Sequence, residues 1–179
     1  MSRYRRQFSG SAYFFTLVAY RRRPIFCAPL LRTALREAIH TVRLTRPFTV
    51  DAWVLMPDHM HCIWTLPDGD QDYSMRWAEI KRYVVSACRE DLHDPRLLTR
   101  AARQRGESTI WQRRFWEHQI RDEFDMEKHV DYIHFNPVKH GEVRQVAEWP
   151  YSTFHRYVRD GIYSGDWAGS PKSAELDLE

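Results

Sequence analysis

The order in which hydrophobic periodicity changes along the chain limits the possible folds more than any other feature. Tyr13, Phe15 and Leu17 alternate with Phe14, Thr16 and Val18 between Gly10 and Arg21–Pro24, the period of two expected of a strand. Pro29 then opens a stretch with Leu31, Ala34, Leu35, Ala38 and Val42 at three- and four-residue spacing, the stripe of an amphipathic helix. Residues 48–56 and 59–66 return to a strand period, with Pro57–Asp58 as a tight turn between them. A second helix starts near Ser74 and carries Trp77, Ile80, Val84 and Cys88 on one face. The charged stretch from Asp91 to Ser108 reads as loop with some helical content, and Thr109 to Ile120 as a fourth strand.

The order β-α-β-β-α-β predicts an α+β protein with a ferredoxin-like antiparallel sheet, helices on one face and the other face free. A third helix is added after it, capped by Asp125 and ending at Asn136, because Pro137 cannot continue it. From Tyr151 onward there are aromatic residues but little periodicity. No repeat and no Gly- or Ser-rich linker divides the chain. It is read as one domain, 1–179, with a basic arm over about 1–10 and an extension over about 142–179 whose last ten residues are expected to be disordered.

Charge narrows the partners. The first fifty residues hold ten arginines against a single acid, Glu37, whereas residues 160–179 hold five acids and one lysine. A basic front half suits a polyanion, although a solvated basic surface fits the count equally well. Cys27, Cys62 and Cys88 form no CxxC pair, so neither a disulfide framework nor a zinc knuckle is indicated. No apolar run reaches the roughly 20 residues of a membrane span and no signal-peptide core follows the basic start, so a cytoplasmic protein without membrane contact is expected.

Three groups of residues carry candidate chemistry. His59-Met60-His61 opens a strand, where side chains two apart share a face and can converge on one divalent metal. The pattern alone also fits two separately hydrogen-bonded histidines. On the third helix, Val130 and Ile133 form the apolar stripe, while Tyr132 lies about 200° from Val130 and is expected to project from the polar side with Lys128 and Asn136. A phenol beside an amide beside a metal can transfer a phosphoryl group; a surface tyrosine with a C-terminal Asn cap is the other reading. Finally, Tyr4-Arg5-Arg6, Arg21-Arg22-Arg23, Lys81-Arg82 and the run Trp111 to Trp116 mix cations with rings, as single-stranded nucleic acid requires, though at least one of those rings is expected in the core.

Several stretches together are similar to the REP-associated tyrosine transposases, relatives of the insertion-sequence transposases of the HUH single-tyrosine group. They are Tyr4-Arg5-Arg6, Tyr13-Phe14-Phe15-Thr16, Met56-Pro57-Asp58-His59-Met60-His61, Ile110 to His118, Asp131 to Gly141 and Trp149-Pro150-Tyr151-Ser152, spread over Arg3 to Trp167. The resemblance implies an enzyme binding Mg²⁺ or Mn²⁺ through His59, His61 and Asn136, where related insertion-sequence enzymes carry Gln or another polar residue. It implies that Tyr132 attacks single-stranded hairpin DNA to form a 5′-phosphotyrosine, with no small-molecule cofactor. Arg3, Tyr4, Arg5, Arg6, Arg22, Lys81, Arg82, Arg113, Arg114 and Lys139 are the expected DNA contacts. No general base stands out, His118 and His134 being the nearest candidates. A monomer is preferred to a homodimer. A non-catalytic binder of hairpin DNA or RNA, or a nuclease using water in place of Tyr132, would use the same residues.

Overall fold

A computed structural model describes residues 11–170. The expected order is present: β1 (Ala12–Val18), α1 (Pro29–Thr45), β2 (Thr49–Leu55), β3 (His59–Thr65), α2 (Tyr73–Leu92), a short α3 (Arg100–Gln104), β4 (Trp116–Gln119), α4 (Glu123–Lys139) and α5 (Phe154–Arg159). The strands lie in the order β2-β3-β1-β4 and every pair is antiparallel. This is the ferredoxin-like sheet.

Strand alternation sends β1 side chains to two cores. Phe15 and Leu17 join Met60, Cys62, Trp64 and the stripes of α1 and α2, where Trp64 and Trp77 stack at 4.0 Å. Phe14 joins Ala52, Val54, Ile63 and helix α4 on the opposite face. The free face of the sheet is thus occupied by α4.

Four expectations need correction. The fourth strand is only four residues long. Ile110 and Trp111 are adjacent yet both buried in the core beneath α1 and α2, which a pleated strand cannot do, so this stretch leaves the sheet after one bridge from Trp111 to Ala19. Asp122, not Asp125, caps α4, accepting a hydrogen bond from the Asp125 N–H at 2.8 Å. The helix passes through Pro137 to Lys139: proline costs one interior hydrogen bond, tolerable in a last turn closed by His140 N–H to Asn136 O at 3.0 Å. Tyr132 is 1% exposed and does not project to solvent.

Tyr132 faces the sheet, its ring 6.1 Å from Phe14 and 5.2 Å from His61, and the tail covers the other side of the helix. Phe154, Tyr157, Tyr163 and Trp167 pack over the outer side of α4 around His134, whose Nε2 lies 2.9 Å from Thr153 Oγ1. Covered on both sides, α4 has no solvent-facing stripe from which orientation can be read. Among the described residues no helix is long and apolar enough to cross a membrane. The basic arm and nearly all of the last ten residues lie outside the described part of the chain.

Candidate active site

The β2–β3 turn sets the first two side chains. Ala19 N–H donates to Asp58 O and Phe26 N–H to Pro57 O, at 2.8 and 2.9 Å, tying the turn to the segment after β1. His59 and His61 then enter β3 on the face covered by α4, 2% and 0% exposed, with ring centroids 5.0 Å apart. Each ring is held by its Nδ1. His59 Nδ1 donates to Asp58 Oδ1 at 2.7 Å, and His61 Nδ1 lies 2.9 Å from the hydroxyl of Thr16, its direct partner across the β1–β3 ladder. Arg22 supports Asp58 from the other side at 3.1 Å. Burial works to raise the Asp58 carboxyl, but the hydrogen bonds and charges of His59 and Arg22 outweigh it and hold it below the usual carboxylate value.

Anchored in this way, His59 turns Nε2 toward α4. His59 Nε2 sits 3.1 Å from Asn136 Oδ1. With Nδ1–H given to Asp58, Nε2 carries a lone pair beside the Asn136 amide, and a cation between them would be held by both. His61 Nε2 and Asn136 Nδ2 are buried and unpartnered. Burial, then the nearby His59, His140 and Lys139, depress the His61 imidazole well below its ordinary value, so it stays neutral and fit to be a ligand. Two imidazole nitrogens and an amide oxygen form a donor set that accepts a divalent ion, and imidazoles braced through Nδ1 are the usual support for one. Tyr132, one turn before Asn136, lays its ring against His61 at 5.2 Å with Lys139 Nζ 5.0 Å above it. The structure therefore gathers His59, His61, Tyr132, Asn136 and Lys139 at one place.

Thr16, Asp58 and His140, whose ring is 5.0 Å from that of His59, complete the surroundings and were missed from sequence. Asp58 could have been found by its position beside His59; Thr16 needed the ladder register. A second group, His118, Asp125 and His129, lies next along the same face. Asp125 Oδ2 is 2.8 Å from His118 Nε2 and Oδ1 is 3.2 Å from His129 Nδ1. His134 lies beneath the tail, its imidazole brought down to about 3 mainly by burial.

The other expected DNA contacts separate in space. Lys81, Arg82 and Arg113 line a cleft of about 530 Å³ with Tyr20, Arg21 and Trp111. Lys81 Nζ lies 5.3 Å over the Phe115 ring, and burial lowers its pKa to about 8. Arg114 is exposed nearby. Arg21 and Arg22 adopt left-handed backbone, φ 52° and 51°, an uncommon conformation for side-chain-bearing residues, and both are exposed between the cleft and Asp58. Arg3, Tyr4, Arg5 and Arg6 lie outside the described residues.

Comparison with known proteins gives the family. The profile of the family described as "Transposase IS200 like" matches residues 7–136. A REP-associated tyrosine transposase of Escherichia coli strain K12 is 50% identical over 94% of this chain and 92% of its own. The chain belongs to the REP-associated tyrosine transposases. A Haemophilus influenzae homologue of this transposase is 42% identical over 96% of both chains. The solved structure of a REP-associated tyrosine transposase bound to a REP hairpin superposes with a TM-score of 0.75, at 48% identity, over 95% of this chain and 93% of that one. As a transposase, the protein is an enzyme, and the gathered residues bring imidazoles, phenol and amide together on its sheet.

Proposed function

We propose that this transposase cuts and rejoins single-stranded DNA at a hairpin through a covalent bond between Tyr132 and a 5′-phosphate, acting as a monomer. The observation that carries this reading is the convergence of two braced imidazole Nε2 atoms and Asn136 Oδ1 beside the Tyr132 ring. The hairpin is suggested by the relative that holds one.

The step is a transesterification. The Tyr132 oxygen loses its proton and bonds to phosphorus, the bond to the 3′ oxygen breaks, and that oxygen takes up one proton and leaves as a hydroxyl; the reverse attack restores the strand. The number of phosphate esters is unchanged, so no external energy source is needed. A phenol with pKa near 10 is a weak nucleophile at neutral pH, and help must come from charge at the phosphate and from alignment. Mg²⁺ or Mn²⁺ held by His59, His61 and Asn136 would supply that charge. Lys139 Nζ, 5.0 Å from the Tyr132 ring, places a further positive charge beside the site. With its side chain 1% exposed, Tyr132 reaches a phosphate only after its cover shifts. Arg22 and the Lys81–Arg82–Arg113 cleft, together with Arg114, hold the DNA backbone, with Arg3, Tyr4, Arg5 and Arg6 of the basic arm proposed as further contacts. Monomeric action is supported by the chain's own tail, which covers the outer side of α4.

The test is incubation with labelled single-stranded hairpin DNA, with and without Mn²⁺, followed by a denaturing gel. A metal-dependent protein–DNA adduct is expected, absent in Tyr132→Phe while hairpin binding persists. Cut DNA without an adduct would instead assign the attack to water, and binding with neither would make the site non-catalytic.

A further inference from the structure

Trp116 is a large ring left open on the catalytic face of the sheet, 44% exposed. It pairs with Thr16, whose other neighbour in the ladder is His61, so Trp116, Thr16 and His61 form one row across three strands. At about 4.8 Å per strand, Trp116 stands on the order of 10 Å from the metal-binding imidazoles, at the open edge. Its ring is not loose. It lies parallel to His118, 4° between planes and 6.0 Å between centroids, and His118 is in turn parallel to His129 within 17° at 4.7 Å. Phe14 braces it edge-on at 5.8 Å. Asp125 fixes the two histidines through the contacts given above, and its carboxyl is held low: burial raises it, but the His118 hydrogen bond, the Arg121 N–H and His129 prevail. The result is a column of three planar rings whose outermost member ends in solvent.

The backbone beside it is built to present that ring. Ala19 pairs with Trp111 and Thr16 with Trp116, so three steps from β1 to Ala19 face five along the segment leading into β4 and two extra residues bulge out. That bulge carries Arg113 and Arg114, both exposed, and Arg121 beyond β4 is 76% exposed. A lone apolar surface would suit many partners. A rigid ring flanked by exposed guanidiniums and facing a phosphate-cleaving centre suits the flat base and charged backbone of single-stranded DNA.

We propose that Trp116 is the stacking platform for one unpaired base beside the scissile phosphate, with the His118–Asp125–His129 column as its rigid backing. The inference rests on the reading of the Tyr132 site given above. It adds a position at which a nucleotide is gripped by shape and not by hydrogen-bonded readout, so the grip tolerates different bases.

The experiment places 2-aminopurine at successive unpaired positions of a hairpin oligonucleotide and measures its fluorescence on binding to the Tyr132→Phe protein with Mn²⁺. One position should be strongly quenched. The quenching should vanish in Trp116→Ala, with hairpin affinity weakened roughly 5- to 100-fold, and should persist in Trp116→Phe. Trp116 is 44% exposed, and Trp116→Leu, which keeps apolar bulk without a ring, should lose the quenching as Trp116→Ala does, so the test remains decisive even where the Ala variant folds poorly. Absence of any Trp116-dependent quenching, or equal affinity of the Ala and Phe variants, overturns the proposal. Adduct formation by the wild-type chain separates the two readings. An adduct without a Trp116 effect removes only the stacking platform, and no adduct at all removes both.

Discussion

At the scale of single residues, orientation matters more than identity. In the proposed site His59 and His61 suit a metal because Asp58 and Thr16 occupy their Nδ1 atoms, leaving His59 Nε2 beside Asn136 Oδ1 and His61 Nε2 without a hydrogen-bond partner. Replacing Asp58 by Asn keeps the shape and removes the charge that orders both His59 and Arg22. Mn²⁺ affinity measured calorimetrically should fall roughly 10- to 100-fold with little change in the circular dichroism spectrum; unchanged affinity would exclude Asp58 from supporting the site. Lys81 offers a second single-residue prediction. Burial lowers its ammonium pKa to about 8, so the charge is present at pH 7 and absent by pH 9.5, with a bound phosphate pushing the loss somewhat higher. Lys81→Ala should weaken hairpin binding several-fold at pH 7 and make no difference at pH 9.5. A penalty independent of pH would mean that only packing was lost. His59, His61, Tyr132 and Asn136 were all legible as a pattern in the chain, but Thr16 was not, since its relation to His61 exists only through the ladder.

Among the elements, α4 determines the most. It carries Tyr132 and Asn136 one turn apart, and its first turn is ordered by Asp122, whose carboxylate accepts from Asp125 N–H and thereby frees the Asp125 side chain for His118 and His129. Asp122→Ala should cost about 1 kcal/mol in urea unfolding. Cleavage should change little, because Tyr132 and Asn136, the proposed reacting residues, lie beyond the middle of the helix; a large loss of activity would show that the cap also sets the register of Tyr132. Sequence located this helix but not its cap or its end. Asp122 and Asp125 are equally good capping residues on paper, and the stop expected at Pro137 failed because a proline near the C-terminus sacrifices one bond, not a helix. The fourth strand was overextended for a related reason: residues 109–115 have strand-like composition, but two adjacent large side chains, Ile110 and Trp111, both enter one core.

Taken whole, the molecule is a sheet between two layers, and the second layer is completed by the C-terminal segment. Phe154 is fully buried among Tyr163, Trp167 and His134. Phe154→Ala should lower stability by about 3–5 kcal/mol, and sheet and tail should still unfold in one urea transition. A separate early transition would show that the tail is a detachable cover and not part of the domain. The tail's aromatic residues have no period because they come from a short helix and loops, so their role could not be read from spacing. What the sequence determined by itself was the order of strands and helices and the residue types of the site, since periodicity and short motifs are local properties. Only the tertiary structure decided that α4 is buried on both faces, that Tyr132 is enclosed against His61, that Lys81, Arg82 and Arg113 share a cleft while Lys139 lies over Tyr132, and that Trp116 stays open. Each of these depends on which surfaces meet across dozens of residues, and no local period records that.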